Sequence, residues 1–342
     1  MLCISKGSRV AVTGATGFIG RHVTAALAHA GFRPVVLARS PDMAARVLPP
    51  GTEVRYADIL EPCSLANSLP DVAAAVHIAG FVSVQAADKA ALRQVNIDGM
   101  RNMLAASRQA GLARLLVMSS TSAVGALPAH RPADALDEHA PFNLAGAGIP
   151  YVTAKRAGHE MALGARRDGD PVITLSPTFV LGPGDGPRNG TALIDLVSRS
   201  RLPVWPDGGV NPIDVRDVAA ATVAALACPS PEDHYILAGR DNIALTALVS
   251  RIARLSGARP PWFNIPYPLA LGVAAVAETF APRGALTTAG VRLSRYYWYF
   301  NADRARRGLG LDTRPLDITL KDTLAWLQAR CPAALHPRQE PS

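Results

Sequence analysis

The run 9–12, Arg-Val-Ala-Val, leads straight into Thr13-Gly14-Ala15-Thr16-Gly17-Phe18-Ile19-Gly20, and this junction leaves the chain few folds to choose from. The apolar run reads as a buried strand. The residues after Gly20 read as a helix to about Ala30, where Gly31 can stop it. Glycines three apart between a strand and a helix let the backbone turn tightly and approach a pyrophosphate, which rests on the helix N-terminus. A glycine triplet alone carries little information. In this context it predicts a dinucleotide site at Gly14, Thr16, Gly17, Phe18, Ile19 and Gly20.

The same alternation continues down the chain. Apolar runs at 34–37, 53–56, 74–78, 114–118 and 172–175 read as further strands. An amphipathic segment at 92–110, closed by Gly111, and a segment from Tyr151 to about Ala165, with Pro150 at its entrance, read as helices. Near-continuous apolar strands separated by helices indicate a parallel sheet covered on both faces. The expected fold is therefore α/β, a Rossmann-type doubly wound parallel sheet with a smaller, mostly C-terminal substrate-binding lobe. Residues 1–178, completed by segments near 211–238, form the expected cofactor domain. Residues 179–210 and 239–330 form the lobe, and 331–342 a loose tail rich in proline.

Composition limits the partners. Hydrophobic residues make up 49% of the 342, enough for a large core, and charged residues 18%, too few for extensive disorder. The net charge of +8 could draw nucleic acid, a membrane surface or a phosphate-bearing ligand. The arginines are scattered without a basic run, which argues against nucleic acid and suits an anionic cofactor. Cys3, Cys63, Cys228 and Cys331 form no Cys-x-x-Cys pair, so neither a zinc site nor a disulfide framework is expected; a reducing, cytoplasmic setting is. No long apolar region precedes the first strand, so no signal peptide is expected. The longest apolar stretch, 268–277, is too short to span a bilayer. It reads as a core or lobe helix, with contact to a membrane surface or a lipid-like substrate as the alternative.

The end of the second strand bears on cofactor type. A carboxylate there would bind the ribose 2′-hydroxyl of NAD, and a cation the 2′-phosphate of NADP. The chain has Leu37-Ala38-Arg39-Ser40 and no acid before Asp42, so Arg39 and Ser40 favour NADP(H) while NAD(H) remains open. Asp58-Ile59 suits the adenine edge, with a helix cap as the other reading of Asp58. Lys155 is one of four lysines in a chain that otherwise uses arginine, and it stands four residues after Tyr151. On a helix that spacing places both on one face. A phenol has an ordinary pKa of about 10, and a neighbouring ammonium can draw it toward neutrality for acid–base work.

Taken in order, Thr13–Gly20, Asp58-Ile59-Leu60, His77-Ile78-Ala79-Gly80, Asn96-Ile97-Asp98-Gly99, Ser119 to Gly125 and Tyr151-x-x-x-Lys155 resemble the extended short-chain dehydrogenases/reductases, the NAD(P)-dependent epimerase/dehydratase family. The resemblance covers residues 8–328. Its C-terminal landmarks, from Asn301 to Gly310 and then Trp326, are similar to those of the dihydroflavonol reductase-like and 3β-hydroxysteroid dehydrogenase-like branches. It implies an NAD(P)-dependent oxidoreductase acting on a small molecule, and a homodimer. Tyr151 would be the acid/base, and Lys155 would also grip the nicotinamide ribose. A hydroxyl from Ser120 or Thr121 would hold the substrate oxygen. Ala79, Gly80, Asn96, Ser119, Pro177 and Thr178 would lie along the cofactor. His77, inside a strand, reads as a core histidine.

Nucleotide-sugar enzymes of this family usually carry an Arg before the landmark strand and an Asn after the sixth. This chain has Gly208-Gly209-Val210-Asn211-Pro212-Ile213 and Ser176-Pro177-Thr178 instead. That points to an apolar or polycyclic ketone or alcohol. A nucleotide-sugar epimerase or dehydratase and a non-catalytic dinucleotide sensor are the alternatives. The aromatic groups Trp262-Phe263 and 296–300 could line an apolar pocket or form lobe core.

Overall fold

The computed structural model describes residues 4–185, 189–200, 204–259, 263–281 and 287–330; the expected tail and Trp262 lie outside them. Seven parallel strands form the central sheet: β1 (Arg9–Thr13), β2 (Arg33–Ala38), β3 (Glu53–Tyr56), β4 (Ala74–His77), β5 (Arg114–Met118), β6 (Val172–Pro177) and, after four short strands, β11 (His234–Leu237). Their spatial order is β3-β2-β1-β4-β5-β6-β11. The order reverses between β1 and β4, and in such sheets ligands bind at the carboxyl ends beside the reversal. The expected Rossmann-type sheet is present, with β11 added at one edge.

Short ladders join the remaining strands. β7 (Phe179–Leu181) pairs with β10 (Pro212–Asp214), β8 (Val204–Pro206) with β13 (Phe263–Ile265), and β9 (Gly209–Val210) with β12 (Ile243–Ala244). The sheet strands are apolar along their length because helices cover both faces. Val10, Val12, Val36 and Val76 face one helical layer; Ala11, Val35, Leu37 and Ala75 face the other.

The helices include α1 (Phe18–His29), α2 (Pro41–Val47), α3 (Pro62–Ser68), α4 (Lys89–Arg93), α5 (Gly99–Gln109), α6 (Pro150–Arg167), α7 (Asn189–Ser198), α8 (Val215–Ala227) and α9 (Leu245–Ser256). They end with α10 (Tyr267–Phe280), α11 (Thr288–Ser294), α12 (Asp303–Leu309) and α13 (Leu316–Arg330). The single regular helix expected over 92–110 is not what forms. A π-helical turn at Gln94–Asp98 separates α4 from α5. Such a turn holds one residue more than an α turn and commonly sits at a functional site.

Arg114 shows how tightly the sheet and helices are tied. It is fully buried, and its Nη1 donates to the carbonyls of Ala225 (3.0 Å), Leu226 (2.6 Å) and Cys228 (2.7 Å) at the end of α8. A cation there satisfies otherwise unpaired helix-terminal carbonyls and complements the helix dipole.

Candidate active site

The site gathers around the ends of β1, β4 and β5 and the start of α6. Thr13 closes β1, and its Oγ1 accepts from the backbone N–H of Ile78 and Ala79, each at 3.2 Å. The same hydroxyl hydrogen-bonds Nδ1 of the buried His77 at 2.9 Å. One side chain thus fixes the glycine loop against the loop after β4. Gly14 has φ +70°, and a Cβ there would meet Ala79 N at 2.7 Å, so both conformation and space require glycine. Thr16 and Gly17 are exposed at the start of α1, and Phe18 is half-buried. Gly17 caps that helix without a side-chain hydrogen bond, and no acid lies in its first turn. Its open amides and dipole suit an anion, so the residues present fit a dinucleotide pyrophosphate.

Arg39 and Ser40 follow β2, both exposed. Among the described residues the Arg39 guanidinium has neither an ion pair nor a hydrogen bond. Asp58 closes its own turn, accepting from Leu60 N at 2.9 Å. Ile59 packs its side chain against Gly99 and gives its carbonyl to Asn102.

Asn96 occupies the π turn and is buried. Its amide brackets Phe81, accepting from the backbone N–H at 3.1 Å and donating to the carbonyl at 2.8 Å. This side chain staples the loop that carries Ala79 and Gly80. A Cβ on Gly80 would lie 3.0 Å from Lys155 Nζ and 3.2 Å from Asn96 Oδ1. The absence of a side chain at position 80 makes room for the ammonium.

Tyr151 and Lys155 lie one turn apart near the start of α6 and are half-buried. Burial lowers Lys155 from its ordinary value to about 8. Burial together with the Lys155 charge holds His77 at about 3, a neutral core histidine as expected. The Tyr151 phenol departs from expectation. Burial pushes it up, and the Ser120 and Ser122 hydroxyls oppose the rise.

The hydroxyls after β5 sort themselves through a 3₁₀ turn at Thr121–Ala123. Ser122 donates to Ser120 Oγ from its own Oγ at 2.9 Å and from its backbone N–H at 3.2 Å. The Thr121 Oγ1 donates to the Pro177 carbonyl at 3.4 Å. Thr121 and Ser122 are buried, whereas Ser120 keeps some exposure beside Tyr151. Of the two hydroxyls left open by the sequence, Ser120 and Thr121, it is Ser120 that acts on the phenol together with Ser122. Ser122 was not singled out as a partner of Tyr151, although its spacing of two from Ser120 was visible. Ser119 is buried and hydrogen-bonds Nδ1 of His159 at 3.0 Å. Thr178 Oγ1 donates to Asn211 Oδ1 at 3.0 Å, and the buried Asn211 amide also donates to Asn242.

The aromatic stretch after α11 splits by alternation. Tyr297 and Tyr299 point into a buried cluster with Leu127, while Tyr296 and Trp298 pack against the group containing Tyr151 and Val152. A separate cleft of about 410 Å³ lies beside β11, lined by residues including Glu138, His139, Arg166 and Arg304. Arg304 pairs there with Asp233 and Glu138, and the cleft includes neither Tyr151 nor Lys155. Among the described residues no group of three or more His, Cys, Asp or Glu could hold a metal ion, and no helix is long and apolar enough to cross a membrane.

Comparison with known proteins agrees with this fold. The model of the NAD dependent epimerase/dehydratase family matches residues 10–238. A ceramide reductase of Caulobacter vibrioides is 32% identical, over 80% of this chain and 78% of its own. Sterol demethylase protein B of Methylococcus capsulatus is 27% identical, over 93% and 98%. The crystal structure of gox2253 superposes with a TM-score of 0.80 at 26% identity, covering 95% of this chain and 99% of its own. With its glycine loop, seven-stranded sheet and Tyr151–Lys155 pair, the chain belongs to the NAD dependent epimerase/dehydratase family and is an NAD(P)-dependent oxidoreductase of the extended short-chain dehydrogenase/reductase type.

Proposed function

We propose that this protein is an NADP(H)-dependent oxidoreductase that interconverts a ketone and an alcohol on an apolar small molecule, with Tyr151 as acid/base. The observation that carries the reading is the hydrogen-bonded Ser120–Ser122 hydroxyl pair acting on the Tyr151 phenol, with Lys155 one helical turn away on α6. When bound, the nicotinamide supplies or accepts the hydride. The first turn of α1 would hold the pyrophosphate, Arg39 and Ser40 the 2′-phosphate, and Lys155 the nicotinamide ribose. Residues 1–178 and 211–238 would carry the cofactor, and 179–210 and 239–330 the substrate.

Burial keeps the phenol protonated near neutral pH, which suits donation to a carbonyl oxygen. Ser120, half-buried where Ser122 is buried, would donate a second hydrogen bond to that oxygen. Ser122 positions Ser120. Relatives named for ceramide and sterol chemistry support an apolar substrate. So does Gly208–Ile213, where no cationic side chain is present and Asn211 is engaged with Thr178, Gly239 and Asn242.

A cofactor-oxidation screen with NADPH and NADH against ketones, aldehydes and nucleotide sugars tests the reading. Tyr151→Phe should lower turnover about 10²–10⁴-fold with near-normal cofactor affinity. Unchanged turnover would refute the acid/base role. Interconversion of a nucleotide sugar without net NADPH consumption would favour epimerase chemistry.

A further inference from the structure

Helix α6 carries more than Tyr151 and Lys155. Its next turn ties down both ends of the segment that brings Ser120 and Ser122 to the phenol. Before that segment, the Ser119 hydroxyl hydrogen-bonds His159 Nδ1 at 3.0 Å. After it, Arg156 Nη1 donates to the Ala123 carbonyl at 2.9 Å. Ser120 and Ser122 stand between the two ties. Arg156 and His159 are three residues apart on α6, so both ties leave one side of the helix. The element that bears the acid/base candidate therefore also holds the hydroxyls that act on it.

The hydroxyl segment lies past the end of β5. Ser119 N still donates to the Leu175 carbonyl of β6 at 2.8 Å. Beyond it, Ala123 N donates to the Ser120 carbonyl at 3.0 Å and Val124 N to the Thr121 carbonyl at 2.9 Å. These bonds set the shape of the turn but not its distance from α6. The helix is a firm reference for that distance. Gly158 lies against the π turn, where a Cβ would meet the Asn96 carbonyl oxygen at 2.6 Å. The His159 ring is fixed as well. It is 3% exposed and meets the His234 ring edge to face, with centroids 4.8 Å apart. His234 is held in turn through Nε2 by the buried Ser176 hydroxyl at 2.8 Å. Burial, aided by the Arg156 charge, brings His159 to about 4, so its bond to Ser119 joins neutral partners at neutral pH. Such a bond is directional and leaves a buried hydroxyl unpaired if it is lost.

We propose that His159, together with Arg156, is a positioning residue that sets the distance between Ser120 and the Tyr151 phenol. Its effect on turnover rests on the acid/base role proposed above; its effect on the phenol does not. The test follows the Tyr151 phenol in the full chain by carbon-13 NMR of ζ-labelled tyrosine, with the signal assigned from Tyr151→Phe. The serine hydroxyls oppose the rise of the phenol, so moving them away should raise it further. His159→Leu, which keeps a buried apolar side chain but loses Nδ1, should make the phenol bind its proton at least about threefold more tightly. His159→Asn, whose amide can stand where Nδ1 stands, should restore the wild-type titration. Ser119→Ala removes the other half of the bond without touching the ring. It should match His159→Leu, and the double variant should add nothing. An unmoved phenol in His159→Leu or in Ser119→Ala overturns the proposal. So does His159→Asn behaving like His159→Leu, which would leave the ring a packing role alone. On a ketone reduced with NADPH, His159→Leu should lower kcat about tenfold with KM and cofactor affinity within about threefold. A phenol that moves as expected while turnover stays unchanged supports the positioning role and refutes the acid/base role of Tyr151.

Discussion

Replacing Lys155 by Met should stabilise the protein while disabling it. Lys155 makes no ion pair among the described residues, and burial of its ammonium brings it from 10.5 to about 8. Each tenfold change in proton affinity is worth about 1.4 kcal/mol, so holding this charge in the fold costs roughly 3 kcal/mol. At pH 7 the group is protonated in both folded and unfolded chains, and the full cost is present. Between pH 8 and 10.5 the unfolded chain binds more protons, so wild-type stability rises with pH through that window. Above it the cost is gone. Met keeps the apolar stem without the charge. Urea unfolding should show Lys155→Met more stable by about 2–3 kcal/mol at pH 7, with the gap closing as pH rises through that window. Enhanced melting temperature would follow, roughly 3–6 °C for a chain of this size. The reasoning is refuted if the variant is less stable at pH 7, or if the gap is the same at pH 7 and 10.5.

Arg39→Glu should weaken NADPH binding about 10–100-fold in a fluorescence titration and leave NADH within about threefold, since only the 2′-phosphate uses that cation. Gly80→Ala should reduce cofactor affinity about tenfold by displacing the Lys155 ammonium, with stability within about 1 kcal/mol of wild type in urea unfolding. Arg114→Met leaves three carbonyls at the end of α8 without their donor, and should lower stability in urea by at least about 3 kcal/mol.

The parts of this protein legible in the sequence are those fixed by local patterns. The glycine loop, the apolar strands and the Tyr151–Lys155 spacing each lie within a few residues, and backbone geometry alone relates them. The choice among Ser120, Thr121 and Ser122 was not legible. It depends on a 3₁₀ turn that brings Ser120 and Ser122 to Tyr151 and Thr121 to the Pro177 carbonyl. Arg114 read only as the first residue of a strand, because its acceptors lie 111 to 114 residues later. The raised Tyr151 phenol also escaped prediction. The sequence shows the neighbouring cation but not that burial raises the phenol.

The π turn that carries Asn96 constrains how the gene can change length. Each residue added to or removed from a helix rotates everything beyond it by about 100°. Deleting one residue from 94–98 would restore a regular helix, but either Asn96 would swing away from Phe81 or Met100 and Met103 would leave the core beneath the sheet. An insertion would do the same in the other direction. Surface connections elsewhere can gain or lose residues freely. This stretch should tolerate substitutions but not changes of length, and natural variants should keep the count between Gly80 and Gly99 fixed.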